Sequence, residues 1–578
     1  MTTLRQRMTR TLDARTRRGV ELGPYDIEAQ RDIRTPMDDG VELLGDLHRP
    51  VGGPNGEAPA LPTIVLRSPY GRAGALAGGA RALAYEGFTV FIQSCRGTAG
   101  SQGEFRPQID EQRDGIATLR WVRQQPWFTG RLATYGQSYL GYVQWAVAGK
   151  LQRDEPDTAQ EALVLHITMP DFGAITWDNG AYSLRNALGW TRMMDRMRRG
   201  GLVLLGVILP DPKLDRAFDV LPLSAGDTAV LGSPNAWYQD WVRHEKLTDE
   251  YWTQQSHTAS VPDVTAPVAM LSGWYDIFLP WQLRTYAQLV SAGNQPWLTL
   301  GPWGHTSQGM AAPAHTETIA FLKQVFTGKD AGRRTPVRAY LTGAEEWHDL
   351  TAWPPPGSAV QPWTLREGGG LGPDATADAG SPEPVSPTER DQLTGVTRYT
   401  YDPADPTPAV GGPSLTPRTA PVDNAKHEKR PDVAVFRGDV LTEPLTIGGE
   451  PVAHVRIRSS APSYDVFVRI TDVHPDGRSM TVCDGIRRIG SIATASTDPE
   501  PDADGFREVA VTLWPAYHRF AAGHRIGIQI SSGAHPRYAR NPGTGEPAYT
   551  AERTVVAHQE ISHSGPGASR IHLPVVAP

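Results

Sequence analysis

Three residues of this 578-residue chain have the types and the order that nucleophilic acyl transfer requires: Ser138, Asp276 and His305. A serine hydroxyl attacks a carbonyl carbon when a base takes its proton, and a carboxylate must fix the tautomer of that base. Taken singly, each residue has a simpler explanation: a surface-loop serine, a helix-capping aspartate and a solvated loop histidine. Their joint occurrence in this order favours a catalytic triad.

The stretch Leu132 to Gly141 predicts how the serine is presented, because it has the pattern of a short strand, a Gly-x-Ser turn and a helix that begins near Tyr139. A serine at such a sharp turn holds its hydroxyl exposed at the top of the sheet. The N-terminus of the helix offers backbone N–H groups to a developing oxyanion, and Tyr139 supplies the first of them. We expect glycine at Gly136 and Gly141 because strand and helix approach too closely there for side chains.

Apolar strands alternate with helical segments on both sides of the serine, which predicts a mostly parallel α/β sheet. The Asp38-Asp39-Gly40 turn predicts a hairpin ahead of that sheet. Asp276 and His305 each follow a predicted strand, at the edge where open α/β sheets place their sites. The order serine, aspartate, histidine is that of α/β-hydrolases. Predicted strands besides that of the serine are Thr63 to Leu66, Phe88 to Gln93, Leu163 to Met169, Val268 to Ser272 and Trp297 to Leu300.

Two further regions depart from this alternation. Between Tyr182 and about Thr258, methionine and tryptophan recur at roughly helical spacing and predict an inserted helical cap, whose stripe fits core packing and a binding wall equally well. Beyond about Gly332, short alternating strands with Gly, Pro, Asp and Ser turns predict a β-sandwich. The predicted domains are 1–24 as a basic, flexible extension, 25–176 with 259–331 as the α/β domain, 177–258 as the cap and 332–578 as the sandwich.

Composition bears on partners and location. A net charge of −7 argues against nucleic acid and anionic membranes as partners. The longest apolar run, Gly201 to Pro210, is about half of what a bilayer span needs, and the arginine-rich start lacks the hydrophobic core of a secretory signal. With only Cys95 and Cys483, two free thiols in a reducing, cytoplasmic compartment are favoured over one disulfide. The 16 histidines show no metal-binding spacing, so neither a metal nor another cofactor is expected.

Motifs along nearly the whole chain carry a resemblance to a known family. Around the predicted site they are Ser68-Pro69-Tyr70, Gly103-Glu104-Phe105, Gly136-Gln137-Ser138-Tyr139-Leu140-Gly141, Gly273-Trp274-Tyr275-Asp276 and Gly301-Pro302-Trp303-Gly304-His305. In the last third they are Tyr401 to Pro406, Pro475 to Arg478, Cys483 to Gly485 and Gly523 to Arg525. With these motifs the chain resembles the cocaine esterase-like hydrolases, which are related to X-prolyl dipeptidyl aminopeptidases and α-amino acid ester hydrolases.

The resemblance implies an α/β-hydrolase fold with an inserted helical cap and a C-terminal β jelly roll. It implies Ser138 as the nucleophile, His305 as the base and Asp276 as the residue that orients the base. It also implies that the Tyr70 hydroxyl and the Tyr139 backbone amide form the oxyanion hole.

Trp177 and Phe278 lie where members of the family line the acyl pocket, which is expected to form between the three domains. The chain departs from close relatives at Ser94-Cys95, where they carry Asp-Thr. A carboxylate beside the site is therefore replaced. The cap has its own sequence, so the substrate does not follow from the resemblance.

The leading hypothesis is a serine esterase that cleaves small or medium, in particular aromatic, acyl esters through an acyl-enzyme on Ser138. Its partner is a small-molecule ester, and a homodimer is left open. The second hypothesis is an amide or peptide hydrolase, which needs a carboxylate to hold a substrate ammonium. Asp171 and Asp178 are the local candidates for that carboxylate, and both suit helix capping equally. The third is a catalytically inert carbohydrate- or partner-binding protein, which an intact triad disfavours.

Overall fold

The computed structural model describes residues 9–14, 19–51, 61–199, 211–373, 395–415, 421–563 and 567–577. The chain divides into two compact units. Unit one comprises residues 1–173, 193–208 and 250–338, and unit two comprises residues 174–192, 209–249 and 339–578. The segment predicted as a cap, 177–258, is thus shared between the units. The apolar run Gly201 to Pro210 lies outside the described residues.

The secondary-structure elements have the following bounds. The strands are β1 (Asp26–Pro36), β2 (Glu42–Val51), β3 (Thr63–Ser68), β4 (Thr89–Ser94), β5 (Leu132–Gln137), β6 (Ala162–His166), β7 (Trp177–Asp178), β8 (Ala181–Tyr182), β9 (Val268–Tyr275), β10 (Trp297–Gly304), β11 (Val337–Leu341), β12 (Glu346–Leu350), β13 (Ser358–Arg366), β14 (Gly370–Pro373), β15 (Val396–Tyr401), β16 (Ala434–Gly438), β17 (Leu445–Gly449), β18 (Val452–Ser459), β19 (Tyr464–Val473), β20 (Ser479–Ile489), β21 (Arg507–Thr512), β22 (Ala516–Phe520), β23 (Arg525–Ser531), β24 (Ala557–Ser562) and β25 (Arg570–Val576). The α-helices are α1 (Gly78–Tyr85), α2 (Glu111–Arg123), α3 (Tyr139–Asp154), α4 (Phe172–Thr176), α5 (Leu184–Arg198), α6 (Pro212–Ala217), α7 (Gly226–Leu231), α8 (Ala236–Arg243), α9 (Glu250–Thr253), α10 (Leu279–Ser291) and α11 (Ala311–Thr327).

Eight strands of unit one form part of a ten-stranded mixed sheet, in the order β1-β2-β4-β3-β5-β6-β9-β10. The pairs β1–β2 and β2–β4 are antiparallel, whereas every pair from β4 to β10 is parallel. Strands β3, β4, β6 and β9 are buried along their whole length, as parallel strands covered on both faces are. The α/β sheet and its leading hairpin were predicted from the sequence, and both are confirmed.

Helices cover this sheet on both faces because successive strand residues point to opposite sides. On one face, Ile64 packs in a cluster with Leu83 of α1 and Phe321 of α11. On the other face, Val65 packs with Ile116 of α2 and with residues of α3. The loops that leave the carboxyl ends of the strands are thereby carried on a rigid, fully packed layer.

The described part of the N-terminal extension, residues 9–14, is helical and docked on unit one. Asp13 is buried, and its carboxylate accepts from Arg81 Nε at 2.7 Å and from the Tyr85 hydroxyl at 3.3 Å. Arg10 donates to the Gly23 carbonyl at 2.7 Å, and its guanidinium lies over the Tyr85 ring. This part of the segment that the sequence predicted to be flexible is therefore anchored by a buried ion pair.

In unit two, strands β13 to β25 form an all-β assembly whose longest path is β15-β24-β18-β25-β13-β14-β16-β23-β19-β20. Strand β17 pairs with β22 and β25, and β21 pairs with β18. The pairing is antiparallel except between β14 and β16. Its core includes Val466, Val468 and Ile470 of β19, which are fully buried. The predicted all-β C-terminal region is confirmed.

Unit two also contains part of the predicted cap. Strands β7 and β8 form a short hairpin. The Trp190 ring packs on Trp237 and Trp241, with centroids 6.2 and 5.7 Å away. Ser224 donates to the Tyr549 carbonyl at 2.6 Å and ties these helices to the C-terminal segment. This part of the tryptophan stripe is therefore engaged in packing.

Cys95 and Cys483 are buried free thiols, as predicted. Burial raises the pKa of each thiol well above its ordinary value. None of the described helices is long and apolar enough to cross a membrane.

Candidate active site

Ser138 lies at the turn between β5 and α3 in a backbone conformation that L-residues rarely adopt, with φ of 57° and ψ of −125°. The carbonyls of His166 and Ile167 accept from its N–H at 3.0 and 3.1 Å, and the Thr168 hydroxyl donates to its carbonyl at 2.8 Å. The neighbouring strand β6 and its loop thus hold the turn in place. The arrangement is the nucleophile elbow that the Gly-x-Ser pattern predicts.

Two glycines make this turn sterically feasible. A Cβ atom on Gly136 would overlap with the backbone carbonyl of Leu140. A Cβ atom on Gly141 would lie 2.5 Å from the side chain of Thr168. Both positions therefore require glycine, for the reason expected from the close approach of strand and helix.

His305 joins Ser138 to Asp276 in one hydrogen-bond chain. Its Nε2 lies 3.0 Å from Ser138 Oγ, and its Nδ1 lies 2.7 Å from Asp276 Oδ2. Because an ionised carboxylate only accepts hydrogen bonds, Asp276 holds the imidazole proton on Nδ1 and leaves Nε2 to accept the serine proton. The Asp276 side chain is fully buried and that of His305 is 8% exposed. The chain of bonds is therefore largely shielded from water.

The loops after β9 and β10 position the other two residues of this chain. Asp276 follows β9, and its Oδ1 accepts from the Phe278 N–H at 2.8 Å, so the carboxylate is fixed on both oxygens. His305 follows β10, whose last residue, Gly304, donates its N–H to Ser307 Oγ at 2.8 Å. Since β9 and β10 are parallel neighbours, their carboxyl ends meet at one edge of the sheet.

Tyr139 begins α3, so its backbone N–H lies at the helix N-terminus directly after Ser138. Its ring is buried, and its hydroxyl donates to Glu111 Oε1 at 2.9 Å and accepts from the Gln108 N–H at 2.8 Å. Burial, with the Glu111 charge as the second cause, raises the pKa of Tyr139 well above its ordinary value. Glu111 in turn pairs with Arg67 at 3.0 Å. Sequence reasoning missed this anchor, since Glu111 precedes Tyr139 by 28 positions.

Tyr70 lies in the loop that follows β3, and its N–H donates to Ser68 Oγ at 3.1 Å. Arg72, which sequence reasoning did not single out, anchors this loop. Its Nε donates to Asp46 Oδ1 at 3.0 Å and its Nη1 donates to the Ala99 carbonyl at 2.6 Å. The loop is firmly held, and the role of the Tyr70 hydroxyl in the oxyanion hole stays a prediction.

A row of aromatic rings lies beside the histidine of the hydrogen-bond chain. Phe278 meets His305 edge to face at a centroid distance of 5.2 Å, and Phe172 meets Phe278 in the same way at 5.2 Å. Phe172 also contacts Tyr139 at 6.0 Å and Tyr142 at 5.1 Å. Phe278 was singled out from the sequence, whereas Phe172 was missed. Its only signal was its place shortly after a predicted strand of the sheet.

Two residues considered in the sequence belong to unit two. Trp177 is buried there; its Nε1 donates to the Trp241 carbonyl at 2.8 Å, and its ring packs on Tyr182 at 4.9 Å. Its place in an acyl pocket stays a prediction. Asp178 accepts from the Tyr538 hydroxyl at 2.6 Å through Oδ2, so its carboxylate is already engaged.

At Ser94-Cys95 the chain departs from its relatives, and both residues are integrated into unit one. Ser94 Oγ accepts from Arg72 Nη1 at 3.0 Å. Cys95 is fully buried, and burial followed by the charge of Glu111 raises the pKa of its thiol well above the usual value. The thiol therefore stays neutral and is no competing nucleophile.

Potential metal ligands occur away from this site. Within the described part of the chain, one group of three His, Cys, Asp or Glu side chains has ligand atoms close enough for a shared ion, namely Asp472, His474 and His524 of unit two. None of them belongs to the Ser138–His305–Asp276 chain. The proton transfers available to that chain need no metal.

Comparison with known families assigns both parts of the chain. The family model described as X-Pro dipeptidyl-peptidase (S15 family) matches residues 39–307, the range that contains Ser138, Asp276 and His305. The model described as X-Pro dipeptidyl-peptidase C-terminal non-catalytic domain matches residues 330–572. The first match contains β2 to β10, and the second contains β11 to β24.

Individual relatives extend over nearly the whole chain. The chain is 31% identical to cocaine esterase of Rhodococcus sp. (strain MB1 Bresler), covering 95% of this chain and 97% of that protein. Among solved structures it is similar to an aminopeptidase from the marine sediment archaeon Thaumarchaeota archaeon, with a TM-score of 0.78, 22% identity and coverage of 96% and 97% of the two chains. An α-amino acid ester hydrolase matches with a TM-score of 0.76, 23% identity and coverage of 96% and 98%. At these identities the two solved structures show the α/β-hydrolase fold alone.

Proposed function

Since the chain belongs to the cocaine esterase-like hydrolases of the S15 family, we propose that it is a serine esterase for carboxylic esters of small to medium, in particular aromatic, acyl groups. The observation that carries the proposal is the hydrogen-bond chain from Ser138 through His305 to Asp276 at a strained strand-to-helix turn. That geometry supports covalent catalysis by serine, and the family relationship supports ester hydrolysis.

The first half of the reaction acylates the serine. Ser138 Oγ attacks the ester carbonyl while His305 Nε2 takes its proton, and Asp276 stabilises the resulting imidazolium through Nδ1. The tetrahedral intermediate collapses, the bond to the alkoxy group breaks, and the proton on Nε2 passes to the leaving oxygen. An alcohol departs and an acyl-enzyme remains.

The second half releases the acid. A water molecule gives a proton to His305 Nε2 and attacks the acyl carbonyl as hydroxide. The second tetrahedral intermediate collapses, the bond to Ser138 Oγ breaks, and the same proton returns to the serine. The carboxylic acid leaves and the resting site is restored.

Two donors are proposed for the oxyanion that forms in both halves. The Tyr139 N–H is supported by its position at the N-terminus of α3, where the helix dipole also favours negative charge. The Tyr70 hydroxyl is supported by the anchored loop after β3. Loss of one such donor lowers kcat by about 10²–10³-fold in serine hydrolases.

The aromatic row supports the preference for aromatic acyl groups. Phe278 lies directly against the His305 ring, and Phe172 extends the row away from it. Aromatic rings favour offset or edge-to-face contacts with a further ring, worth about 0.5–1.5 kcal/mol each beyond simple burial. A benzoyl group on Ser138 therefore finds partners that an acetyl group does not.

Amide or peptide hydrolysis is the second candidate, favoured by the dipeptidyl-peptidase description of the matching family model. It requires a carboxylate for the substrate ammonium. Asp178 already accepts from Tyr538, and the residues directly after Asp276 are the apolar Ile277, Phe278 and Leu279. The 31% identity to cocaine esterase over nearly the whole chain makes the esterase the better supported of the two.

We propose further that the enzyme needs no cofactor and acts on a small-molecule ester in the cytoplasm. The two buried free thiols support a reducing compartment. The net charge of −7 gives no support to nucleic-acid binding. Assembly as a homodimer stays open to measurement.

The test is a matched panel of chromogenic substrates: p-nitrophenyl acetate, butyrate and benzoate against alanyl-prolyl- and glycyl-prolyl-p-nitroanilide. The Ser138→Ala variant is the blank, and its unchanged melting temperature serves as the folding control. We expect turnover of the esters, highest kcat/KM for the benzoate, and a loss of at least about 10³-fold in Ser138→Ala.

Two results would contradict the proposal. Faster cleavage of the free-amine anilides than of all esters would establish the peptidase, with a carboxylate that binds the substrate ammonium. Equal rates for the wild type and Ser138→Ala, together with no labelling of the wild type by a fluorophosphonate probe, would leave a binding protein without catalytic function.

A further inference from the structure

We infer that unit two contains a binding site for one divalent transition-metal cation of the zinc type, formed by Asp472, His474 and His524. Asp472 lies in β19, His474 follows the end of that strand, and His524 directly precedes β23. Their ligand atoms, one from each residue, all lie within 4.8 Å of one another. The site shares no residue with the proposed esterase active site, so each proposal can be tested independently of the other.

The distances within the group are close to those between ligands of a shared ion, and the shorter of them is also a hydrogen-bond distance. Nitrogen and oxygen ligands about 2.1 Å from a tetrahedral Zn²⁺ lie about 3.4 Å from one another. Asp472 Oδ1 is 2.8 Å from His524 Nδ1, and Asp472 Oδ2 is 3.8 Å from His474 Nε2. The second separation is too long for a hydrogen bond. Each distance needs a change of well under 1 Å to become a ligand–ligand distance.

The two imidazoles face the same space. The His474 and His524 rings have centroids 4.3 Å apart and are tilted by 42°. A single cation between them would accept one nitrogen lone pair from each ring and one oxygen lone pair from the carboxylate. The arrangement of two histidines and one carboxylate is a recurrent donor set for such ions.

Neighbouring side chains support the ligands from outside. His518 Nε2 lies 3.2 Å from Asp472 Oδ2 and orients the carboxylate, as outer-shell partners of metal ligands do. Arg478 Nη2 lies 3.4 Å from His474 Nδ1, but its Nε is already held by Asp476 at 2.8 Å. When His474 binds through Nε2, its proton moves to Nδ1 and the exposed Arg478 turns outward onto Asp476.

Access and donor chemistry select the class of ion. The Asp472 side chain is 4% exposed, while those of His474 and His524 are 23% and 17% exposed. An ion can therefore enter from solvent and keep a water molecule as a further ligand. Two imidazoles and one carboxylate suit Zn²⁺, Co²⁺ or Ni²⁺, because Ca²⁺ and Mg²⁺ require mostly oxygen ligands.

A bound ion would cross-link two turns of the all-β assembly. His474 opens the turn between β19 and β20, where its N–H donates to the Arg478 carbonyl at 2.8 Å. His524 closes the turn between β22 and β23, where its N–H donates to the Ala521 carbonyl at 3.1 Å. Because the ion binds the folded state and not the unfolded chain, it raises the melting temperature by an amount that grows with the ratio of its free concentration to its Kd.

The test uses the full-length chain without an affinity tag, stripped with a chelator and titrated with Co²⁺, followed by displacement with Zn²⁺. The decisive variant is His474→Ala, because this residue is partly exposed and its loss removes no strand contact. His524→Gln is the second variant. His558→Ala, a histidine of β24 that bonds Thr400, is the matched control.

We expect one Co²⁺ per chain in the wild type and in His558→Ala, with the visible absorption of a low-coordinate nitrogen-ligated ion and a rise in melting temperature with Zn²⁺. In His474→Ala and His524→Gln the affinity falls by at least about tenfold. A wild-type spectrum identical to that of aqueous Co²⁺ overturns the proposal. So does binding that His474→Ala retains at wild-type affinity.

Discussion

At the residue scale, the strain at Ser138 determines how the hydroxyl is presented. A non-glycine residue in this φ region costs about 1–3 kcal/mol. The cost is offset by the carbonyls of His166 and Ile167 and by the hydroxyl of Thr168. Since all three partners belong to β6 and its loop, the sheet holds the nucleophile in place, and His305 reaches it from the loop after β10.

Asp276→Asn tests the role of the buried carboxylate. The asparagine keeps the shape, but its amide nitrogen can donate to Nδ1 and so place the imidazole proton on Nε2, where it blocks acceptance of the serine proton. We expect kcat for p-nitrophenyl butyrate to fall by about 10³–10⁴-fold with little change in melting temperature. The matched control is Asp263→Asn, a partly exposed partner of Arg153. A loss of less than tenfold in Asp276→Asn would contradict the assigned role.

Tyr139 offers a second test at this scale, because its buried hydroxyl fixes the residue whose N–H is the proposed oxyanion donor. Tyr139→Phe and Glu111→Gln each weaken that anchor. We expect kcat to fall by about tenfold with KM nearly unchanged, since a small displacement of a catalytic group affects the transition state most. A boronic acid transition-state analogue should bind more weakly by a similar factor.

The control for this pair is Tyr142→Phe. Tyr142 lies on the same helix as Tyr139, and the change removes the buried hydrogen bond from its hydroxyl to the Gln255 carbonyl. It should cost similar stability and leave kcat close to the wild-type value. The double variant of Tyr139 and Glu111 should lose little more activity than either single one, because both changes remove the Tyr139–Glu111 hydrogen bond. Glu111→Gln also weakens the buried ion pair with Arg67, and the melting temperature measures that separate loss of stability. Fully additive losses, or equal losses in Tyr142→Phe, would show a general effect on folding instead.

At the element scale, the close packing of α3 against the sheet is what positions the elbow. The helix begins immediately after Ser138, and Gly141 lets its first turn pass over the loop after β6. An added methyl group there would meet Thr168, whose hydroxyl also bonds the serine carbonyl. Packing and catalytic geometry are therefore coupled through one contact.

Gly141→Ala should destabilise the chain by about 1–3 kcal/mol through overpacking and displace the serine. Ester turnover by the folded variant should therefore be lower than that of the wild type, even at temperatures well below the melting temperature of the variant. Gly189→Ala in α5 is the matched control, because a Cβ atom there meets nothing within 4 Å. It should be neutral or stabilise by up to about 1 kcal/mol through helix propensity. Equal behaviour of the two variants, measured by thermal unfolding and ester turnover, would refute the steric argument.

At the scale of the whole molecule, buried neutral histidines make the folded state sensitive to acid. Burial lowers the pKa of His48 to about 4, of His166 to about 3, of His257 to about 4 and of His427 to about 4. In the unfolded chain these groups take up protons near pH 6.5. Stability is therefore intact above pH 6.5 and is lost as the pH falls from 6.5 toward 4.

His48→Phe isolates one of these contributions, because phenylalanine fills the site but takes no proton. Burial is the main cause of the lowered pKa at His48, followed by the charges of Arg81 and Arg31. From pH 7 to pH 5 the wild type should lose about 2 kcal/mol more stability than the variant. Calorimetric unfolding at both pH values measures this difference, and any constant packing effect cancels. An equal loss in both proteins would exclude His48 as a source of acid sensitivity.

The sequence by itself determined those features that depend on residue type and short spacing. The Gly-x-Ser turn, the two close-approach glycines and the alternation of strands with helices are local patterns, and local geometry follows from them. The order of Ser138, Asp276 and His305 identified three residues that the structure joins in one hydrogen-bond chain, because each follows a strand whose end lies at the same edge of the sheet.

Only the tertiary structure decided which residues from distant parts of the sequence support the catalytic residues and form further sites. The bond of Glu111 to Tyr139, the row from Phe172 to His305 and the grouping of Asp472 with two histidines each join separate segments of the chain. The division of the predicted cap between the two units is likewise a feature that only the tertiary structure shows. Such contacts arise from many weak packing interactions distributed over a whole folded unit. They cannot be predicted from short-range spacing in the sequence, because the interacting residues are far apart along the chain.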